Sequence, residues 1–215
     1  KENSLELVVK FVNLNYNVLV TARPSRKTRA EPLSVRANVL VTANRKRRIG
    51  MILTIDIGNT NILLGCFKGN ELVFRERISS KREATDLEYA AMIKTALDMY
   101  TLTPKQIDGA IMASVVPTIT NTLKRAIEKL IGIETLVVGP GIKSGLSIRI
   151  DNPAQLGSDL VAEAVGALQE YPLPQIIIDM GTATTFSVID QHGFYVGGMI
   201  TAGMAISAEA LVRST

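Results

Sequence analysis

Cysteine, histidine and tryptophan are nearly missing from this chain of 215 residues: it has one Cys, one His and no Trp. A single cysteine, Cys66, excludes an intrachain disulfide and a cysteine-based zinc site. It fits a reducing compartment, and a cytoplasmic protein is expected. With one histidine, Ser-His-Asp or Cys-His catalysis would have to run through His192. That residue stands in Asp190-Gln191-His192-Gly193, the composition of an exposed hairpin turn. No apolar run approaches the ~18 residues that span a bilayer, so no membrane partner is expected. Apolar residues make up 47% of the chain, which excludes a disordered protein and leaves ample material for a core.

Acidic residues are scarce only at the start. Residues 1–50 hold 11 Lys/Arg and 3 Asp/Glu, a net +8, whereas residues 51–215 hold 13 and 17, a net −4. The basic pI therefore belongs to a leader, and nucleic acid is not an expected partner of the body. The leader repeats Asn-Val-Leu-Val-Thr-Ala at Asn17–Ala22 and Asn38–Ala43, each copy running into a basic tract. Two copies are too few for a solenoid. The favoured reading is an extension upstream of a start at Met51 that takes no part in the fold. A transit peptide and a nucleic-acid arm are the alternatives.

Two segments 123 residues apart share one design. Met51–Ile55 leads into Asp56-Ile57-Gly58-Asn59-Thr60-Asn61, and Gln175–Ile178 leads into Asp179-Met180-Gly181-Thr182-Ala183-Thr184-Thr185. Each reads as a strand that delivers an aspartate to a glycine turn rich in hydroxyl or amide side chains, with a second apolar strand leaving. Such turns suit a phosphate chain. Glycine lets the backbone approach closely, N–H groups and Thr or Asn side chains bind oxygens, and a carboxylate at the strand end positions hydrated Mg²⁺.

From Met51 the periodicity predicts strands at Met51–Ile57, Asn61–Phe67 and Leu72–Ile78, and a helix over Asp86–Tyr100 capped by Thr85 or Asp86. A strand at Ile107–Ser114, a helix from Pro117 to about Ile131 and a strand at Thr135–Val138 follow. Ser147–Ile150 reads as a short strand and Ser158–Tyr171 as a helix. The strand triplet then returns at Gln175–Asp179, Thr184–Ile189 and Phe194–Ile200, and Ser207–Thr215 begins a further helix. This order is that of an α/β protein with the ribonuclease H-like fold of the actin, hexokinase and Hsp70 superfamily, two half-domains around a nucleotide cleft. The expected division is leader 1–50, first half-domain with linking helix 51–172, and the start of a second, truncated half-domain 173–215.

From Met51 onward the chain resembles the type III pantothenate kinases. The resemblance rests on Asp56 to Asn61, Ser114-Val115-Val116-Pro117, Val138 to Gly141, Lys143 to Leu146, Asp151-Asn152-Pro153, Asp179 to Thr185 and Gly197 to Gly203, all in order. Two positions depart from the family pattern. Its Gly-x-Asp-Arg is here Gly157-Ser158-Asp159-Leu160, and its Pro-Gly is here Ala202-Gly203. The chain stops before the family's C-terminal Gly-x-Asn-Thr region, so a C-terminal truncation is expected.

The resemblance implies ATP-dependent phosphorylation of pantothenate to 4′-phosphopantothenate, the first step of coenzyme A biosynthesis. It implies Asp159 as catalytic base and Asp56, Gly58, Asn59, Thr60, Asn61, Gly181, Thr182 and Thr184 as the ATP site. Asn152, Gly157 and Ser158 would line the pantothenate pocket. Asp56 would hold Mg²⁺, and Asp179 a monovalent cation, K⁺ or NH₄⁺. A homodimer is implied as well, with the helix from Ser158 to Tyr171 expected at its interface because Ala162, Ala164, Val165, Ala167 and Leu168 leave it little polar surface. The alternative is a non-catalytic or altered-substrate paralogue akin to the Bvg accessory factor-like regulators. Retention of Asp56, Asp159 and Asp179 favours an enzyme.

Overall fold

A computed structural model of the chain describes residues 18–22, 50–139 and 142–215. Two five-stranded sheets carry the molecule. The first is built from β2 (Met51–Ile57), β3 (Asn61–Lys68), β4 (Glu71–Ser79), β5 (Ile107–Ser114) and β6 (Thr135–Val137), in the order β4-β3-β2-β5-β6. β3 runs antiparallel to β2 and β4, while β5 and β6 join β2 in parallel. Counted along the chain, this is a third-second-first-fourth-fifth order with the second strand reversed, the ribonuclease H-like arrangement.

The second sheet contains β1 (Val18–Ala22), β7 (Ser147–Ile148), β8 (Gln175–Met180), β9 (Ala183–Ile189) and β10 (Phe194–Ala202), ordered β1-β8-β9-β10-β7. β8, β9 and β10 repeat the antiparallel triplet of β2, β3 and β4. The predicted triplets are therefore both present. The sequence assigns the leader no place in the fold, yet Val18–Ala22 pairs antiparallel with β8, from Val18↔Asp179 to Ala22↔Gln175. A free sheet edge offers unpaired N–H and C=O groups to any extended segment, and this one is rich in β-branched residues. The second hexapeptide copy lies outside the described residues.

Helix α1 (Asp86–Met99) starts at Thr85, which forms a capping box: the Thr85 N–H donates to Glu88 Oε2 at 2.7 Å and the Glu88 N–H to Thr85 Oγ1 at 3.3 Å. Helix α2 (Pro117–Ile131) opens on proline and ends at Gly132, whose φ of 78° is left-handed. Both helices pack on the first sheet. Leu53, Ile55, Leu64, Tyr89, Ile93 and Leu123 are fully buried between them, each such side chain contributing roughly 1.5–3 kcal/mol of transfer free energy.

Helix α3 (Ser158–Glu170) lies between the two sheets. Its Ala162 and Val165 join Ile111 of β5, and its Ala164 and Ala167 join Ile177, Ile189 and Tyr195 of the second sheet. Small side chains let both sheets approach. The same packing corrects the interface expectation, because the apolar stripe of α3 is buried within the chain. Helix α4 (Met204–Ser214) begins three residues before the predicted Ser207, with Gly203 at its N-cap, and has no buried residue. No helix among the described residues is long and apolar enough to cross a membrane.

Candidate active site

The repeated triplet places two matching turns face to face. After β2, the Gly58 N–H donates to the Asn61 carbonyl at 3.0 Å and closes the first turn. Ser80 holds it from behind: its hydroxyl donates to the Gly58 carbonyl at 2.7 Å and its N–H to the Thr60 carbonyl at 3.0 Å. After β8, the Gly181 N–H donates to the Ala183 carbonyl at 2.9 Å. The Gly203 N–H then donates to the Thr182 carbonyl at 3.1 Å, tethering the start of α4 to that turn. A Cβ at Gly203 would strike the carbonyls of Gly181 and Thr182, so this approach needs glycine. The tips meet where Thr60 Oγ1 and Thr182 Oγ1 lie 3.2 Å apart.

Beneath the tips is a cavity of about 390 Å³. Asp56 and Asp179, each at the end of the first strand of its triplet, line it from opposite sheets. Asp159 enters from the first turn of α3, and Glu163 from one turn further along the same helix. Gly157 makes room for Asp159, since a Cβ there would strike Asp159 Oδ1. The Leu160 N–H donates to Asp159 Oδ1 at 2.8 Å.

Four acidic side chains line this cavity, and three of them, Asp56, Asp159 and Glu163, are raised. Burial, and then the charges of Asp159 and Asp179, push Asp56 up to about 7. Burial raises Asp159 as well, against the pull of backbone N–H donors. Glu163 is raised well above its ordinary range, by burial first and then by its acidic neighbours. A side-chain hydrogen bond with Asp179 adds to the rise, and Glu163 Oε2 is buried with no hydrogen-bond partner. Such a wall suits cations. Among the described residues no three side chains converge into a metal cage. A cation here would rest on one or two carboxylates and complete its shell with phosphate oxygens and water, the ordinary habit of Mg²⁺.

Of the residues expected at the nucleotide, Asp56, Gly58, Asn59, Thr60, Asn61, Gly181 and Thr182 all line this cavity, as do Asp159 and Asp179. Thr184 does not; Thr185 takes its place. Thr185 is in register with Asp179, so the two share a face, whereas Thr184 is one residue off and belongs to the opposite face.

The expected acceptor residues are dispersed. Asn152 is exposed ahead of the short turn Pro153–Gln155, and neither Asn152 nor Gly157 lines a described cavity. Ser158 lines a second cavity of about 490 Å³ with Ser114, Ile142, Leu146 and Leu156. Its hydroxyl accepts from the Ser114 N–H at 3.1 Å and donates to the Ser114 carbonyl at 3.0 Å, tying α3 to the end of β5. Consecutive residues, Ser158 and Asp159, thus face two different cavities.

Three polar or charged lining residues escaped the sequence reading: Glu163, Thr185 and Arg77. Glu163 carries a signal, since an acid among Ala162, Ala164 and Val165 four residues after Asp159 must lie on the same helix face. Leu160, where the family pattern has arginine, is buried and supplies no charge. His192 is exposed in its turn, as expected.

Two mirrored strand-turn-strand units of a ribonuclease H-like fold, closing on a cavity with an acid at the end of each leading strand, define a protein with the fold of the actin, hexokinase and Hsp70 class. The type III pantothenate kinase family model matches residues 52–215, and the chain belongs to that family. It is 42% identical over 165 residues to the type III pantothenate kinase of Bifidobacterium animalis subsp. lactis (strain AD011), covering 77% of this chain and 66% of that protein. It is 44% identical over 161 residues to that of Moorella thermoacetica (strain ATCC 39073 / JCM 9320), covering 75% and 63%. Against that of Exiguobacterium sp. (strain ATCC BAA-1283 / AT1b) it is 43% identical over 163 residues, covering 76% and 64%. The chain thus spans slightly under two thirds of the length of these curated relatives. Among solved structures, ethanolamine utilization protein EutJ from Carboxydothermus hydrogenoformans superposes with a TM-score of 0.41 at 16% identity, covering 99% of this chain and 66% of that one, a likeness on which nothing here depends.

Proposed function

We propose that the chain transfers the γ-phosphoryl group of ATP to the primary hydroxyl of pantothenate, giving 4′-phosphopantothenate and ADP at the first step of coenzyme A biosynthesis. The observation that carries the reading is that Asp159 lines the same cavity as both phosphate turns. A base and a phosphate cradle so placed serve one reaction.

The turns at Gly58–Asn61 and Gly181–Ala183 hold the phosphate chain from opposite sheets. The acceptor hydroxyl oxygen forms a bond to the γ-phosphorus while the bond from that phosphorus to the β–γ bridging oxygen breaks, and ADP leaves. Asp159 takes the hydroxyl proton. Its raised proton affinity improves it as a base, and the α3 N-terminus steadies its ionised form. Asp56 would hold Mg²⁺ and Asp179 the monovalent cation. When bound, these ions neutralise charge on the phosphates, which is most of what phosphoryl transfer needs beyond positioning. Gly157, directly against Asp159, and Asn152 would complete the acceptor side.

A cytoplasmic homodimer is part of the same reading. With α3 buried, its surface has to come from elsewhere, and Met199, Ile200, Met204 and Leu211 of β10 and α4 are exposed. Presence of all three aspartates favours this enzyme over a non-catalytic regulator. Measuring ADP release with and without pantothenate tests the proposal: release that depends on pantothenate supports it, and release indifferent to pantothenate removes it.

A further inference from the structure

The nucleotide cavity has one positively charged lining residue among the described residues, Arg77 of β4, and the reaction above gives it no task. Its position follows from strand register. Asp56 pairs with Leu63, and Leu63 pairs with Arg77. Directly opposed residues share a face, so the three form a ladder across the cleft side of the first sheet. Two strand spacings put Arg77 roughly 10 Å from Asp56, level with it along the strands. The Arg77 side chain is exposed and has no ion-pair or hydrogen-bond partner among the described residues. Asp159 belongs to the other flank, because Ser158 ties it to the end of β5, and β5 lies on the opposite side of β2 from β3 and β4.

We propose that Arg77 binds the terminal phosphoryl group of the nucleotide, supplying the fixed positive charge that this cavity otherwise lacks; the proposal rests on the phosphotransferase reading above. The transferring group lies between Asp56 and the acceptor hydroxyl at Asp159. A guanidinium level with Asp56 reaches its oxygens from the side away from the base, leaving the line of attack open. Its planar fork matches two phosphate oxygens at once, which an ammonium cannot do. With Leu160 buried where the family pattern has arginine, no second guanidinium on the described wall shares this work.

Calorimetric titration of the full chain with ATP and separately with ADP, in Mg²⁺ and without acceptor, tests the assignment through binding alone. Arg77→Gln should weaken ATP roughly ten- to hundredfold, the loss of one charge-assisted contact. ADP, which lacks the terminal group, should stay within about twofold of the unchanged chain. Arg77→Lys should fall between the two for ATP, and circular dichroism reports whether either variant has unfolded. If Arg77→Gln does not fold, Arg77→Lys alone must show the loss for ATP and not for ADP. Equal weakening of ATP and ADP would overturn the proposal by making Arg77 a general attractor of phosphate. Unchanged binding of both, with a higher KM for pantothenate, would overturn it by placing Arg77 at the acceptor carboxylate. If the unchanged chain binds neither nucleotide, the phosphotransferase reading itself falls, and this proposal with it.

Discussion

Thr60 and Thr182 touch across the cleft, their hydroxyl oxygens 3.2 Å apart although the residues belong to different sheets. Their contact directly joins the two matching turns. A phosphate chain seated between those turns has to part this pair. In the double variant Thr60→Cys/Thr182→Cys, a disulfide should form under mild oxidation, and saturating ADP should slow its formation several-fold. Cys66 is fully buried and will not compete. Mass spectrometry of the cross-linked peptides gives the rate, and an identical rate with and without ADP would place the nucleotide elsewhere.

Asp159→Asn keeps the shape of the side chain and removes its basicity. It should lower kcat by about 10²–10⁴-fold, the range for a general base, and leave the melting temperature within a few degrees. A variant with unchanged kcat would return Asp159 to a purely structural place at the start of α3.

The strand triplets and the helices at Asp86, Pro117 and Ser158 were legible because burial imposes a period of two or 3.6 on apolar residues, and Thr85, Pro117 and Gly132 punctuate the helices. The two turns that line the first cavity were legible because glycine turns after an aspartate are local features. What escaped the sequence depends on register or on distant packing. Thr184 and Thr185 differ by one residue, and which of them shares a face with Asp179 is set by pairing across β8 and β9. Arg77 reads as one more solvated charge in Arg75-Glu76-Arg77 until two register steps place it level with Asp56 on the same face. The stripe of α3 reads as available surface, and only the meeting of two sheets shows that it is consumed.

The pairing of β1 with β8 should be visible in exchange. Deleting residues 1–50 removes β1 and frees the edge of β8. Amides of the Gln175–Met180 segment should then exchange faster by at least tenfold, read by hydrogen–deuterium exchange mass spectrometry. Leu19→Pro should give much of the same effect, since proline cannot donate to the ladder. Unchanged exchange in both variants would show that the leader does not hold this edge in solution.

Burial pushes the Cys66 thiol up to about 11 from an ordinary 9.0. The folded state therefore favours the protonated thiol. This contribution to stability is fully present below pH 9.0 and is lost as pH rises through about 11. At pH 8, a thiol reagent should label the native chain at a rate limited by unfolding and should label the denatured chain at once. Rapid labelling of native protein would mean that β3 is not packed as described.

The most direct test of the central claim is a coupled assay of ADP release by the full chain in ATP, Mg²⁺ and K⁺, with pantothenate present and absent. The account predicts release that requires pantothenate, yields phosphopantothenate in equal amount, and disappears in Asp159→Asn. No pantothenate-dependent release from a folded chain that binds ATP would contradict it.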